Sequence, residues 1–143
     1  MTIVALGGTP SLLSSEYLLR ELGERVDLET TELELFSVVD WDPSGWQIER
    51  AFARQLERVG APAVSLTSLV TPALYSEAER AIYRYPLPRK QGTKNRKWLE
   101  ATGGLDGQGF GLESDAVDKD QLAAQLVGDA VDHLRREPGQ VAV

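Results

Sequence analysis

Two aspartates separated by one residue, Asp40 and Asp42, are the first candidates for chemistry in this sequence. On an extended segment alternate side chains point the same way, so a pair at this spacing can reach one ion. Their oxygens are hard ligands suited to Mg²⁺ or Mn²⁺, which keep several waters and are often shared with substrate phosphates. The same residues have a second reading, because an aspartate ahead of a helix commonly serves as its N-cap. Spacing alone leaves both open.

A second group is cationic. From Arg80 to Lys97 there are seven Lys or Arg residues, among them Arg84, Arg89, Lys90, Lys94, Arg96 and Lys97, and no Asp or Glu. The rest of the chain carries eight basic against twenty-two acidic residues, so a local +7 segment sits on a body of −14. That asymmetry is expected where one face meets phosphate and the remainder must stay soluble. Tyr83, Tyr85 and Trp98 interleave with the cations, a mixture that suits phosphate pairing and base stacking. The competing reading is a solvated loop that Tyr85 and Trp98 anchor to the core. A third group, Gly7-Gly8-Thr9-Pro10-Ser11, could cradle a phosphate with backbone N–H groups ahead of a helix. It matches neither glycine-rich nucleotide fingerprint and reads equally as a tight strand-to-helix turn.

The elements that must position these groups follow from periodicity. Leu33 to Val39 is an apolar run, with Glu34 and Ser37 inside it, and reads as a buried strand ending at the aspartate pair. Pro43 and Gly45 turn the chain into a helical pattern, Ile48, Ala51, Phe52, Leu56 and Val59, that stops at Gly60. The pair therefore falls in the loop after a strand, the rim where open α/β sheets bind ligands. A β-like run over 2–6 and a helical pattern from Leu12 to Leu22 come before it, and Ala63 to Leu66 reads as a further strand. This β-α-β-α-β order predicts an α/β fold with an open, mostly parallel sheet flanked by helices. Tyr75 to Ile82 reads as a short helix. Pro86 and Pro88 then break any helix, and residues 80–111 read as a basic and glycine-rich loop region. Asp118 is an expected N-cap for a last helix, Lys119 to Arg136, with an apolar stripe at Leu122, Ala123, Leu126, Ala130 and Leu134. His133 lies in its final turn, where positive charge is favoured. Residues 138–143 form a short tail.

The 143 residues fit one domain able to bury a core. Cysteine is absent and histidine occurs once, which removes disulfides, thiol nucleophiles, thiolate metal sites and any multi-histidine zinc site within one chain. No apolar run approaches the ~18 residues of a membrane span, and the N-terminus lacks the basic region of a signal peptide. The expectation is an intracellular, cytoplasmic protein with no membrane partner, nucleoid-associated if it binds DNA.

Asp40-Trp41-Asp42-Pro43-Ser44-Gly45-Trp46-Gln47-Ile48 after an apolar strand resembles the Asp-x-Asp-Pro-x-Gly-x-x-Ile segment of Toprim domains, above all those of the topoisomerase VI A subunit and the related meiotic double-strand-break protein. In that family the paired aspartates hold Mg²⁺ near the scissile phosphate, and the resemblance implies that role for Asp40 and Asp42. Gly7-Gly8-Thr9-Pro10 is similar to the Gly-x-Pro segment after the second Toprim strand, with order and spacing agreeing over residues 3–60. Leu112-Glu113-Ser114-Asp115-Ala116 is similar to the Glu-Ala-Leu segment before the last Toprim helix, so Glu113 and Asp115 either support the ion or end a strand. The family's first strand with its glutamate, and the winged-helix domain bearing its nucleophilic tyrosine, have no counterpart in this sequence. None of Tyr17, Tyr75, Tyr83 or Tyr85 sits in a matching context. The resemblance therefore implies DNA as partner and a second protein or further domain supplying the nucleophile. Two other readings fit. One is a flavodoxin-like FMN or nucleotide binder, with Gly7, Gly8, Thr9 and Ser11 on the phosphate and the aspartates as caps. The other is a non-catalytic interaction module of a DNA-processing complex.

Overall fold

The computed structural model describes residues 10–136, save the side chains of His133, Leu134 and Arg136. The expected strand over 2–6, the loop residues Gly7, Gly8 and Thr9, and the tail at 138–143 lie outside the described residues. Within them the chain is mixed α/β. Its elements are α1 (Leu12–Gly23), β1 (Leu33–Ser37), α2 (Pro43–Arg58), β2 (Val64–Ser68), α3 (Glu77–Tyr83), β3 (Arg84–Pro86), α4 (Gly92–Thr102), β4 (Phe110–Leu112) and α5 (Lys119–Arg136). Single 3₁₀ turns occur at Pro72–Leu74, Arg89–Gln91 and Ser114–Ala116.

β1 and β2 pair in parallel, from Leu33 opposite Val64 to Ser37 opposite Ser68, with α2 as their crossover. This is the β-α-β unit expected from the pattern. β3 and β4 form a separate antiparallel pair, from Arg84 opposite Leu112 to Pro86 opposite Phe110. The described residues thus contain two small sheets, and the last pairing departs from the mostly parallel expectation.

Helix ends obey local chemistry. Ser11 caps α1 by accepting from Ser14 N, and Asp42 caps α2 ahead of Pro43. Ser76 and Glu79 form a reciprocal capping box on α3. Asp118 Oδ1 accepts from Asp120 N at 2.9 Å and Gln121 N at 3.1 Å, the cap expected for α5. Gly60, at φ +111°, and Gly103, at φ +81°, follow α2 and α4 in backbone conformations that disfavour a side chain.

α2 buries Phe52, Ala53 and Leu56 toward the parallel pair and α1. Ser15, fully buried on α1, donates to Gln55 Oε1 on α2 at 3.1 Å. A second cluster is formed by Val70, Leu74, Tyr75, Leu105 and Leu112, with Trp41, Phe110 and Val117 packed against it.

The basic segment is not a loop throughout. Residues 92–102 are helical and pack on α2. From Gly92 to Thr102 nothing interrupts a helix, and Trp98, which is completely buried, supplies the apolar anchor. Pro86 and Pro88 obscured this by placing breakers just before a short helix.

Candidate metal and phosphate site

β1 runs out at Ser37, and two further residues bring the chain to Asp40 at the strand's C-terminal rim. The loop is clamped through the residue between the aspartates. Trp41 N donates to Leu112 O at 2.9 Å and Leu112 N to Trp41 O at 3.1 Å, an isolated antiparallel bridge to the end of β4. The Trp41 indole donates to Gly104 O at 3.1 Å and meets Trp98 edge-on, with centroids 5.9 Å apart. Gly45 closes the loop tightly, since a Cβ there would lie 2.2 Å from Asp40 O. Only glycine fits without the loop shifting.

Asp40 Oδ1 accepts from Ser114 N at 2.7 Å and Ser114 Oγ at 2.8 Å. Asp42 Oδ1 accepts from Gly45 N at 2.6 Å, and its Oδ2 accepts the Tyr85 hydroxyl at 2.9 Å. Asp42 is therefore an N-cap, one of the two roles open to it from sequence. Capping does not exhaust a carboxylate, whose two oxygens offer about four lone-pair directions.

Two phenols face this acidic rim. Burial, then the hydrogen bond and charge of Asp42, then the charges of Asp40 and Glu113, push the Tyr85 hydroxyl far above its ordinary range. Its ring lies over Gly111, where a Cβ would come within 2.5 Å of Tyr85 Cζ. Tyr75 donates to Glu113 O at 2.8 Å, and burial, with Asp40 and Glu79, pushes its phenol up to about 12.

The four acidic residues named from sequence are not gathered equally. Asp40, Asp42 and Glu113 share the surroundings of Tyr85, Glu113 being exposed, whereas Asp115 is exposed in the 3₁₀ turn beyond and is not among them. Among the described residues, no three Asp, Glu, His or Cys side chains converge closely enough to hold an ion directly. The donor set fits an ion that keeps most of its waters and takes one or two carboxylates, which is the habit of Mg²⁺.

The cations border the same loop. Lys94 on α4 donates to Ser44 Oγ, two residues beyond Asp42, at 3.1 Å. Arg96 and Lys97 are exposed on the same helix, with Glu100 3.9 Å from Arg96. Arg89 and Lys90 are exposed in the preceding 3₁₀ turn, and the Arg84 guanidinium stacks 4.7 Å from the centre of the Phe110 ring. Trp98 is buried and Tyr85 is committed to Asp42, so of the three interleaved aromatics only Tyr83 stays exposed for stacking. Ser11, the described member of the expected phosphate loop besides Pro10, is exposed and spends its hydroxyl on the α1 cap.

Sequence reading missed Glu49. It is 6% exposed on α2 and accepts from Ser68 Oγ at 2.6 Å and from the Ser37 hydroxyl, bridging the C-terminal ends of both parallel strands. The signal was available. Gly45, Glu49, Phe52 and Leu56 are spaced four, three and four apart, so the glutamate sits in the buried stripe of the helix. Comparison with protein-family models, curated proteins and solved structures finds no match to this chain.

Proposed function

We propose that this chain is a Toprim-type module that binds a hydrated Mg²⁺ or Mn²⁺ at Asp40 and Asp42 and presents it to the phosphate backbone of DNA. The observation that carries the reading is the Lys94–Ser44 contact, which joins the cation-bearing helix to the acidic loop. Acidic and basic groups that each suit half of a metal–phosphate complex thereby share one rim. The Asp-x-Asp-Pro-x-Gly resemblance and the position of the pair after a parallel strand support the same reading.

In this proposal Lys94, Arg96, Lys97, Arg89 and Lys90 bind phosphates by charge, and Asp40 and Asp42 hold the ion. When bound, the ion offsets the charge that develops at a phosphodiester. Ser114 orients Asp40 through two hydrogen bonds, and Tyr85 holds Asp42 Oδ2 in competition with the ion. The nucleophile for strand cleavage comes from a partner protein or another domain. Calorimetric titration with Mn²⁺ tests the reading. The wild type gives saturable heats that an Asp40→Ala/Asp42→Ala double variant abolishes, and equal heats in the two proteins would refute it.

A further inference from the structure

Behind the aspartate pair lies a small recess with room for about one water. Asp40, Asp42, Trp46, Glu49, Ser68 and Trp98 line it. Two observations about it have no place in the account so far. Glu49 is a buried carboxylate held by two serine hydroxyls, and among the described residues no cation pairs with it. Trp98 is completely buried, and no group of the described protein accepts its indole N–H. Glu49 and Trp98 thus line one water-sized space, and an ordered water there makes about two to four hydrogen bonds.

We infer that Glu49 is a positioning residue for the divalent ion, acting through a water of the ion's own shell seated in this recess. The inference rests on the metal-binding reading proposed above. Glu49 reaches the site from a different element, the helix behind the aspartates. Among the described residues no third acidic side chain converges with the pair closely enough to share an ion directly. Outer-shell contact needs no such convergence, since Mg²⁺ gives up its waters reluctantly. The water would donate to Glu49 and accept from the Trp98 N–H, while Ser37 and Ser68 fix the Glu49 carboxylate across both strand ends. Carboxylates that act on a metal's waters or ligands typically govern affinity by 10–100-fold.

The chain contains its own reporter, because all three of its tryptophans border the recess. Mn²⁺ is paramagnetic and quenches nearby indole fluorescence. Titration of the whole chain with Mn²⁺ should quench the wild type, and Asp40→Ala/Asp42→Ala should remove saturable quenching. Glu49→Gln, which keeps the shape and can still bond both serines, should raise the half-quenching concentration about tenfold while leaving the metal-free melting temperature near wild type. If the glutamine variant is unfolded, Glu49→Asp serves instead: retraction by one methylene should produce the same weakening. Wild-type affinity in a folded Glu49 variant, with quenching still lost in the Asp40→Ala/Asp42→Ala variant, would overturn this inference and leave the metal reading standing. No saturable quenching of the wild type would overturn both.

Discussion

Tyr85 and Asp42 form a pair in which each residue constrains the other. The phenol donates to a carboxylate that already caps α2, and the ring reaches it only because position 111 has no side chain. Tyr85→Phe should cost about 1.5–3 kcal/mol in denaturant unfolding, the worth of a hydrogen bond to a charged group, without reducing Mn²⁺ affinity, because it removes a competitor for Asp42 Oδ2. Gly45→Ala should be more damaging, since the new Cβ meets backbone rather than a flexible side chain. A loss of about 2 kcal/mol or more is expected, together with loss of ion binding as the loop moves. The phenols also set an alkaline limit. A folded-state pKa above the ordinary 10 means the unfolded chain releases its proton first, so this stability is complete below pH 10 and is lost as pH rises through the folded value. Tyr75 should therefore steepen alkaline destabilisation between pH 10 and about 12, by about 1.4 kcal/mol per pH unit, and Tyr75→Phe should flatten that limb of a urea-midpoint against pH curve.

At the scale of elements, α4 turns a charge run into a surface. If its cations contact phosphate, replacing Lys94, Arg96 and Lys97 with alanine should lower the log–log salt slope of duplex binding by about two to three units, at about 0.9 per contact. Folding should change by less than about 1 kcal/mol, because Arg96 and Lys97 are exposed and Lys94 loses one hydrogen bond. An unchanged slope would make α4 an ordinary solvated helix. This helix is also where the sequence was hardest to read. The β1-α2-β2 unit and α5 with its Asp118 cap were legible, because long periodic stretches and capping residues are local signals. α4 was hidden behind Pro86, Pro88 and Gly92, and its one buried anchor, Trp98, looked as suited to stacking on bases as to packing. The β3–β4 pair has three residues per strand and is specified by contacts such as Tyr85 on Gly111, which no local pattern encodes. The spacing of α2 could place Glu49 in the buried stripe, but no local pattern encodes its partners. Its meaning lies in Ser37 and Ser68, on two strands brought together by the parallel register.

For the molecule as a whole, the charge distribution bears on how an acidic chain would meet the anionic partner of the proposed function. The net charge of −7 keeps the body repulsive toward DNA, while the basic stretch lies beside the aspartate loop. If the proposed function holds, DNA approaches in the orientation that brings phosphate to the acidic rim, where an ion relieves the repulsion. The proposal therefore predicts that DNA binding and metal binding are coupled, each strengthening the other by linkage. Measuring duplex affinity with and without Mg²⁺ at fixed ionic strength tests this coupling directly. The wild type should bind DNA more tightly when Mg²⁺ is present. The Asp40→Ala/Asp42→Ala variant should bind DNA without metal at least as well as the wild type and gain nothing from Mg²⁺. The same Mg²⁺ dependence in both proteins, or no DNA binding by the wild type, would contradict the account.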